Sequence, residues 1–301
     1  MAFTALKPRG FQATRVPELA LKLARKSAQE QRELFQDILN RGVHGLCFSL
    51  YEEGQQPGDP VTEEQIRRRL GILKPHTRWI RSFSCTEGNE LIPLIAREMG
   101  FKTLVGAWLG EDTDKNRQEL DGLVALARRG LVDVAAVGNE VLYRDDLSEQ
   151  ALLEHIMAVK AQLPDLPVGY VDAYYEFVER PSLAQACDVI LCNCYPYWEG
   201  TPFEQALAHM QHMHQLATAA AQGKPVVITE TGWPSQGEGK DAAIPSQANA
   251  MAYFILTQLW AQAEQIPTFY FSSFDEAWKV DAEGDVGAYW GIWDSRGQLK
   301  Y

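Results

Sequence analysis

Eight short apolar segments that alternate with longer amphipathic ones constrain the fold of this chain more than any other feature of its sequence. The short segments are rich in β-branched residues and almost continuously apolar, as expected of strands covered on both faces. We predict strands at residues 45–51, 77–83, 102–108, 133–139, 166–171, 188–195, 225–231 and 268–274.

Amphipathic patterns between these strands predict helices at residues 61–73, 89–99, 114–129, 148–162, 203–222 and 246–265, with a shorter and less regular piece at 175–187. A helix after nearly every strand is typical of a (β/α)₈ TIM barrel. A doubly wound open sheet, the rival fold, would normally show fewer strands and often a glycine-rich phosphate turn after the first, and neither occurs. We therefore expect a single compact α/β domain with its barrel over 42–301. We expect residues 1–41 to be an N-terminal lead or capping segment, with a candidate helix at 30–39.

The charge of the chain excludes some classes of partner. With 40 acidic and 28 basic residues, the net charge is −12. Such a surface repels phosphate backbones and anionic lipids, so we expect no nucleic-acid and no membrane partner, and a neutral polymer fits better. No stretch approaches the roughly 18 apolar residues of a membrane helix. We expect a monomer.

The cysteines and the first residues bear on the compartment. Five cysteines without a regular spacing indicate reduced, buried thiols and no disulfide framework. Residues 1–10 lack the apolar stretch of a signal peptide. We expect either that the protein stays inside the cell or that a native export signal is missing from this sequence.

Two glutamates stand where a TIM barrel keeps its chemistry, at the carboxyl ends of its strands. Glu140 directly follows the fourth predicted strand and Glu230 lies at the end of the seventh, each after an apolar run. A lone carboxylate there is most simply part of an ion pair. Two of them across one barrel mouth can flank a glycosidic bond, one protonating the leaving oxygen and the other attacking the anomeric carbon. A retaining mechanism needs the two carboxyl groups about 5 Å apart.

Residues near these glutamates suit a sugar ligand. Asn139 is placed to bond a sugar 2-hydroxyl, and Arg81 to orient Glu230 and keep it ionised. Aromatic side chains can stack on apolar sugar faces, although each one alone is more often packing. In a chain with 8 Trp and 11 Tyr, the aromatic candidates at strand ends are Tyr51, Trp108, Tyr174, Tyr195, Tyr197, Trp198, Trp233 and Trp278. Glu276 and Lys279 either bind hydroxyls along the groove or pair with each other.

Motifs of other enzyme classes are missing from the sequence. None of the six histidines forms a His-x-His pair at a strand end, and three of them cluster on the predicted helix 203–222. There is no nucleophile elbow, phosphate-binding loop or dinucleotide fingerprint. We expect no metal site and no cofactor.

Three runs of residues resemble glycoside hydrolase family 17. They are VGNEVL at 137–142, VITETGWPS at 227–235 and YWGIWD at 289–294, and the similarity extends from the first strand to the C-terminus. That family is built on a (β/α)₈ barrel and cleaves or transfers β-1,3-glucan with retention. The resemblance implies that Glu140 is the proton donor and Glu230 the nucleophile. It also implies that Tyr195 lies beside the nucleophile and that Glu276 and Lys279 contact glucan.

Three functions are compatible with these residues. We expect a retaining enzyme that cleaves β-1,3-glucan of the laminarin type internally, with some transglycosylation. The alternative is a dedicated β-1,3-glucanosyltransferase that elongates or branches chains, since both share the first half of the reaction. A non-catalytic glucan-binding barrel is the third, but it would be expected to have lost a carboxylate.

Overall fold

The structure of the protein, a computed structural model, describes Phe11 and residues 16–301. All paired strands are parallel, and β1 pairs with both β2 and β8, which closes the sheet into a barrel. The strands are β1 (Val43–Cys47), β2 (Thr77–Ser82), β3 (Lys102–Ala107), β4 (Val134–Asn139), β5 (Val168–Ala173), β6 (Ile190–Asn193), β7 (Val226–Thr231) and β8 (Thr268–Tyr270). The predicted (β/α)₈ barrel is confirmed.

Helices surround the barrel. They are α1 (Glu18–Ala24), α2 (Ala28–Arg41), α3 (Glu63–Leu73), α4 (Leu91–Glu98), α5 (Thr113–Arg128), α6 (Glu149–Gln162), α7 (Tyr174–Glu179), α8 (Pro181–Ala186), α9 (Phe203–Ala220), α10 (Gln247–Ala263) and α11 (Val280–Glu283). Two 3₁₀ turns, Ala277–Lys279 and Asp285–Tyr289, flank α11. Hydroxyl and carboxylate side chains cap the first turns of several helices, as at Ser27, Thr62, Asp112, Ser148 and Ser246.

Several strands are shorter than the apolar runs predicted. β8 ends at Tyr270, whereas the prediction ran to residue 274. The reason is that the chain after β8 bonds the C-terminal segment: the Ser272 amide donates to the Trp290 carbonyl at 3.1 Å, and the Ile292 amide donates to the Ser272 carbonyl at 3.0 Å. The irregular piece 175–187 contains two short helices, because Pro181 fits the first turn of α8 but cannot continue α7.

The helix predicted at 30–39 is α2, and it packs against α10. Its Phe35 is fully buried, with its ring 4.8 Å from that of Phe254 and 5.1 Å from that of Tyr301. The division into a lead at 1–41 and a barrel at 42–301 stays a prediction. Residues 1–10 and 12–15, which include the stretch without the apolar run of a signal peptide, lie outside the described residues. Within the described part, no helix is both long and apolar enough to cross a membrane.

The five cysteines are buried and unpaired, as predicted. Cys192 and Cys194 lie in and just after β6, with their Sγ atoms 3.9 Å apart.

Phe35→Ala is expected to lower the free energy of unfolding by about 3–5 kcal/mol, because it empties a buried site between α2, α10 and the C-terminus. Urea denaturation monitored by circular dichroism would measure this. Leu21→Ala on α1 is the control, since that side chain is 47% exposed and its loss should change stability by less than about 0.5 kcal/mol. Equal effects of the two substitutions would show that α2 contributes no core packing.

Candidate active site

Glu140 follows directly after β4, in a turn with an unusual backbone. Its φ is 52°, and Gly138 two residues earlier has φ 91°. The pairing of β4 with β5 shifts register between Ala136 and Asn139, as at a β-bulge. Left-handed backbone at a residue other than glycine is costly and is concentrated at functional sites. The turn aims the Glu140 side chain into the barrel mouth.

Neighbouring side chains hold this turn in place. The amide of Leu142 donates to the hydroxyl of Tyr170 at 3.0 Å, and that hydroxyl donates in turn to Asp172. The Arg144 guanidinium donates to the carbonyl of Asn139 at 2.5 Å. The position of Glu140 is therefore fixed by contacts from β5 and from its own turn.

The carboxyl of Glu140 is partly buried and has one amide partner. Asn193 Nδ2, at the end of β6, donates to Glu140 Oε1 at 2.8 Å. Thr229 Oγ1 donates to Asn193 Oδ1 at 2.9 Å, which fixes which way the amide points. Burial, and after it the negative charge of Glu230, raise the pKa of Glu140 to about 7, against a lowering by the bond from Asn193. Glu140 therefore holds its proton up to near-neutral pH.

Glu230 lies in β7 and has a different environment. Arg81 Nη1 donates to its Oε1 at 2.6 Å, and the Tyr195 hydroxyl donates to its Oε2 at 2.8 Å. Both donors favour a negatively charged carboxylate. Burial raises the pKa of Tyr195 well above its usual value, so this hydroxyl keeps its proton.

Arg81 lies at the centre of the polar cluster. Its side chain is only 2% exposed, and its Nη2 donates to Asn139 Oδ1 at 2.6 Å. The predicted contact between Arg81 and Glu230 is present in the structure. Oδ1 of Asn139 is thus occupied by Arg81.

The two glutamates line the same cavity at the barrel mouth. Tyr195, which bonds Glu230, and Asn193, which bonds Glu140, line it as well. The other lining residues are Tyr143, Ala173, Tyr174, Tyr175, Trp198, Glu199, Phe271 and Glu283. Two carboxyl groups in different surroundings therefore face one aromatic-walled space.

Two of the aromatic residues predicted to stack on sugar do not reach it. Trp233 and Tyr197 are each 1% exposed. The Trp233 ring packs on those of Tyr197 and Phe203, and its Nε1 donates to the Ile244 carbonyl at 3.0 Å. The Tyr197 hydroxyl donates to the Glu238 carbonyl at 2.9 Å. These predictions were wrong: both side chains pack behind the cavity wall.

The remaining aromatic candidates are divided between the cavity and its surroundings. Tyr174, Tyr195 and Trp198 line the cavity. Trp108 is 41% exposed and lies under the guanidinium of Arg144, which is 4.6 Å from its ring centre. Tyr51 is buried against the edge of Trp278, at 5.9 Å between ring centres.

Glu276 and Lys279 were predicted either to bind sugar hydroxyls or to pair with each other, and the structure shows the ion pair. The two side chains are buried and paired with each other. Trp278 Nε1 also donates to Glu276 Oε1 at 3.0 Å. The Lys279 ammonium lies 4.2 Å from the ring centre of Phe271, which lines the cavity.

Sequence reasoning missed several residues of the site. Asn193, Tyr143, Tyr175, Glu199, Phe271 and Glu283 line the cavity but were not among the candidates. Asn193 carried a usable signal, because it is a polar residue near the carboxyl end of a predicted strand. Among the residues the structure describes, no three His, Cys, Asp or Glu side chains gather as a metal site would require. The expected lack of a metal and a cofactor stays a prediction.

Glu230→Gln is expected to lower the pKa of Glu140 from about 7, because the variant removes the negative charge that disfavours ionisation of Glu140. Carbon-13 NMR titration of glutamate side chains would measure the shift. Glu154→Gln on the outer surface is the control and should leave the titration unchanged. A Glu140 pKa that does not move would contradict the electrostatic contact between the two carboxyls.

Comparison with known proteins identifies the family of this chain. The family model of the BtgE/BtgC glycoside hydrolase domain matches residues 45–291. Glucan 1,3-β-glucosidase BGL2 of Candida albicans is 28% identical over 260 residues, which cover 77% of this chain and 83% of that protein.

Two solved structures from Rhizomucor miehei are also similar. A glycoside hydrolase family 17 β-1,3-glucanosyltransferase is 28% identical with a TM-score of 0.77, and an active-site mutant of a β-1,3-glucanosyltransferase in complex with laminaritriose is 27% identical with a TM-score of 0.78. Each match covers 87% of this chain and 96% of the other. The resemblance to family 17 is confirmed. The chain belongs to the BtgE/BtgC glycoside hydrolase domain family and is a glycoside hydrolase.

Proposed function

We propose that this glycoside hydrolase cleaves β-1,3-glucan with retention of the anomeric configuration, using Glu230 as nucleophile and Glu140 as acid and base. The observation that carries the proposal is the contrast between two carboxyls in one cavity. Glu230 accepts bonds from Arg81 and Tyr195, whereas Glu140 has a pKa of about 7. A carboxyl held by two hydrogen-bond donors beside a carboxyl with a raised pKa is the pairing that a glycosidase needs.

In the first step, a carboxylate oxygen of Glu230 forms a bond to the anomeric carbon as the bond to the leaving oxygen breaks. Glu140 gives its proton to that oxygen, so the departing chain leaves as a neutral alcohol. In the second step Glu140, now ionised, takes a proton from a water molecule or a sugar hydroxyl. The oxygen so activated attacks the anomeric carbon, and Glu230 leaves as a carboxylate.

The raised pKa of Glu140 suits this double role. Before the reaction the charge of Glu230 keeps the proton on Glu140. Once Glu230 is bound covalently to the sugar it carries no charge, so the pKa of Glu140 falls. Proton transfer and bond formation thus assist each other through the same electrostatic contact.

The substrate class is supported by the relatives and by the cavity wall. The Candida relative is a glucan 1,3-β-glucosidase, and one Rhizomucor structure holds laminaritriose. Here Tyr174, Tyr195 and Trp198 line the cavity, and aromatic rings stack on apolar sugar faces. Asn139 Nδ2 is the candidate donor to the sugar 2-hydroxyl. The proposed enzyme acts as a monomer, without a nucleic-acid, membrane or metal partner.

A dedicated β-1,3-glucanosyltransferase is the second candidate, favoured by the similarity to the Rhizomucor transferase at 28% identity. Hydrolysis and transfer share the covalent intermediate and differ in the acceptor that attacks it. The outcome depends on how firmly the cavity holds an acceptor sugar in attack geometry. A non-catalytic glucan-binding barrel is disfavoured because both carboxyls are present.

Wild-type protein on laminarin is expected to release shortened chains whose new reducing ends are first β-anomers, seen by proton NMR in the first minutes. Glu230→Ala should lower kcat by about 10³-fold or more, and Glu140→Gln by about 10²- to 10⁴-fold. Glu154→Gln should retain wild-type activity. Initial α-anomers, or full activity in Glu230→Ala, would refute the retaining mechanism.

Incubation with laminari-oligosaccharides of one length separates the two enzyme classes. We expect mainly shorter products, with a minority longer than the substrate that grows as its concentration rises, because sugar then competes with water for the intermediate. Mass spectrometry of the products measures the ratio. Longer products predominating at every substrate concentration would identify a dedicated transferase.

A further inference from the structure

A third carboxyl group reaches the cavity that holds Glu140 and Glu230. Glu283 is the last residue of α11, in the segment that follows β8, and it lines the cavity while remaining partly exposed. Asp281, two residues earlier on the same short helix, is exposed and does not line the cavity. The chain therefore directs one of these two carboxyls inward.

Among the residues that the structure describes, no group donates a hydrogen bond to the carboxyl of Glu283. Lys279, whose charge acts on Glu283, is paired with Glu276. Burial raises the pKa of Glu283 to about 8; Lys279 opposes this, whereas Glu276, Glu230 and Glu140 add to it. Burying a polar group without a partner costs free energy, which a ligand could offset.

The backbone at Gly287 lies close against the turn that carries Glu283. A Cβ atom at Gly287 would lie 2.9 Å from Cβ of Glu283 and 2.7 Å from the carbonyl oxygen of Lys279. Any other residue at 287 would therefore push against the turn that carries Glu283. Gly284, which ends α11 with φ 74°, turns the chain back so that position 287 meets this turn. Close approach of the 3₁₀ turn Asp285–Tyr289 to α11 thus depends on the lack of a side chain at position 287.

We propose that Glu283 is a substrate-binding residue, whose carboxyl bonds hydroxyl groups of a glucosyl unit held in the same cavity as Glu140 and Glu230. Sugar hydroxyls are donors that match an unpartnered carboxyl oxygen, and the same carboxyl in its protonated form can also donate. The inference rests on the proposed function, since it takes a glucan as the ligand. It assigns Glu283 to recognition of the sugar and leaves the bond-breaking steps to Glu140 and Glu230.

Binding measured without turnover tests this assignment directly. The Glu230→Gln protein serves as the parent, and isothermal titration calorimetry with laminaritriose gives its Kd. Adding Glu283→Ala should raise that Kd about 10-fold or more, because it removes the carboxyl that bonds the sugar hydroxyls. Glu283→Gln keeps hydrogen-bonding atoms at the same place and should raise it less. Asp281→Ala, on the same helix and outside the cavity, is the matched control and should leave the Kd unchanged.

Gly287→Ala provides an independent variant that leaves Glu283 chemically intact. It should weaken laminaritriose binding in the same direction as Glu283→Ala, because the added Cβ displaces the turn. Thermal unfolding of every variant checks that the barrel is folded. In the otherwise wild-type enzyme, Glu283→Ala should raise KM more than it lowers kcat, as loss of a contact present throughout the reaction does.

The outcomes separate this inference from the function on which it rests. A Kd unchanged by Glu283→Ala, in a parent that binds laminaritriose, overturns the inference and leaves the proposed function standing. An equal loss of binding in Asp281→Ala also overturns it, because the effect is then one of general surface charge. Failure of the wild-type protein to cleave laminarin and of the parent to bind laminaritriose overturns the proposed function and this inference together.

Discussion

The buried guanidinium of Arg81 is the contact on which the rest of the barrel mouth depends. It starts on β2 and bonds Glu230 on β7 and Asn139 at the end of β4, so one cation joins three strands around the ring. Removing a charge from water is expensive, and the cost is offset here by a carboxylate at 2.6 Å and by the amide oxygen. Loss of either charged partner would leave the other buried and unpaired, which typically costs about 3–5 kcal/mol. The barrel thereby fixes the position of Glu230 before any substrate arrives.

The two glutamates differ because their surroundings differ. Glu230 receives two hydrogen bonds, one of them from a cation, whereas Glu140 receives one bond from the neutral amide of Asn193. Asn193 connects the two positions, since the residue that fixes its amide, Thr229, directly precedes Glu230. Register shifts occur where β4 pairs with β5, where β6 pairs with β7 and where β7 pairs with β8. These irregularities are at the carboxyl ends of the strands, where they redirect side chains into the mouth.

A second layer of aromatic residues supports the cavity from behind. Trp290 lies at the centre of it, with its ring 5.5 Å from that of Trp198 and 5.6 Å from that of Tyr195. It comes from the C-terminal segment, which bonds the chain after β8 and closes that side of the mouth. Trp233 and Tyr197 belong to this layer. They follow strand ends, as the residues of the cavity wall do, and the sequence therefore predicted them as sugar platforms. The same closing segment carries Glu283 into the cavity.

The sequence by itself determined the barrel and its two central carboxyls. Eight apolar runs alternating with helices allow few other folds, and Glu140 and Glu230 stand at strand ends, where position along the chain and position in space coincide. The sequence also predicted the contact of Arg81 with Glu230, because a cation near one strand end of the barrel mouth is expected to pair with a carboxylate at another. Only the tertiary structure decided which aromatic side chains face the cavity, because a strand-end tryptophan has the same local pattern whether it lies in the wall or behind it. It also decided the pairing of Glu276 with Lys279 and the entry of Glu283, since both depend on how the irregular segment after β8 folds back, and no periodic pattern encodes that path.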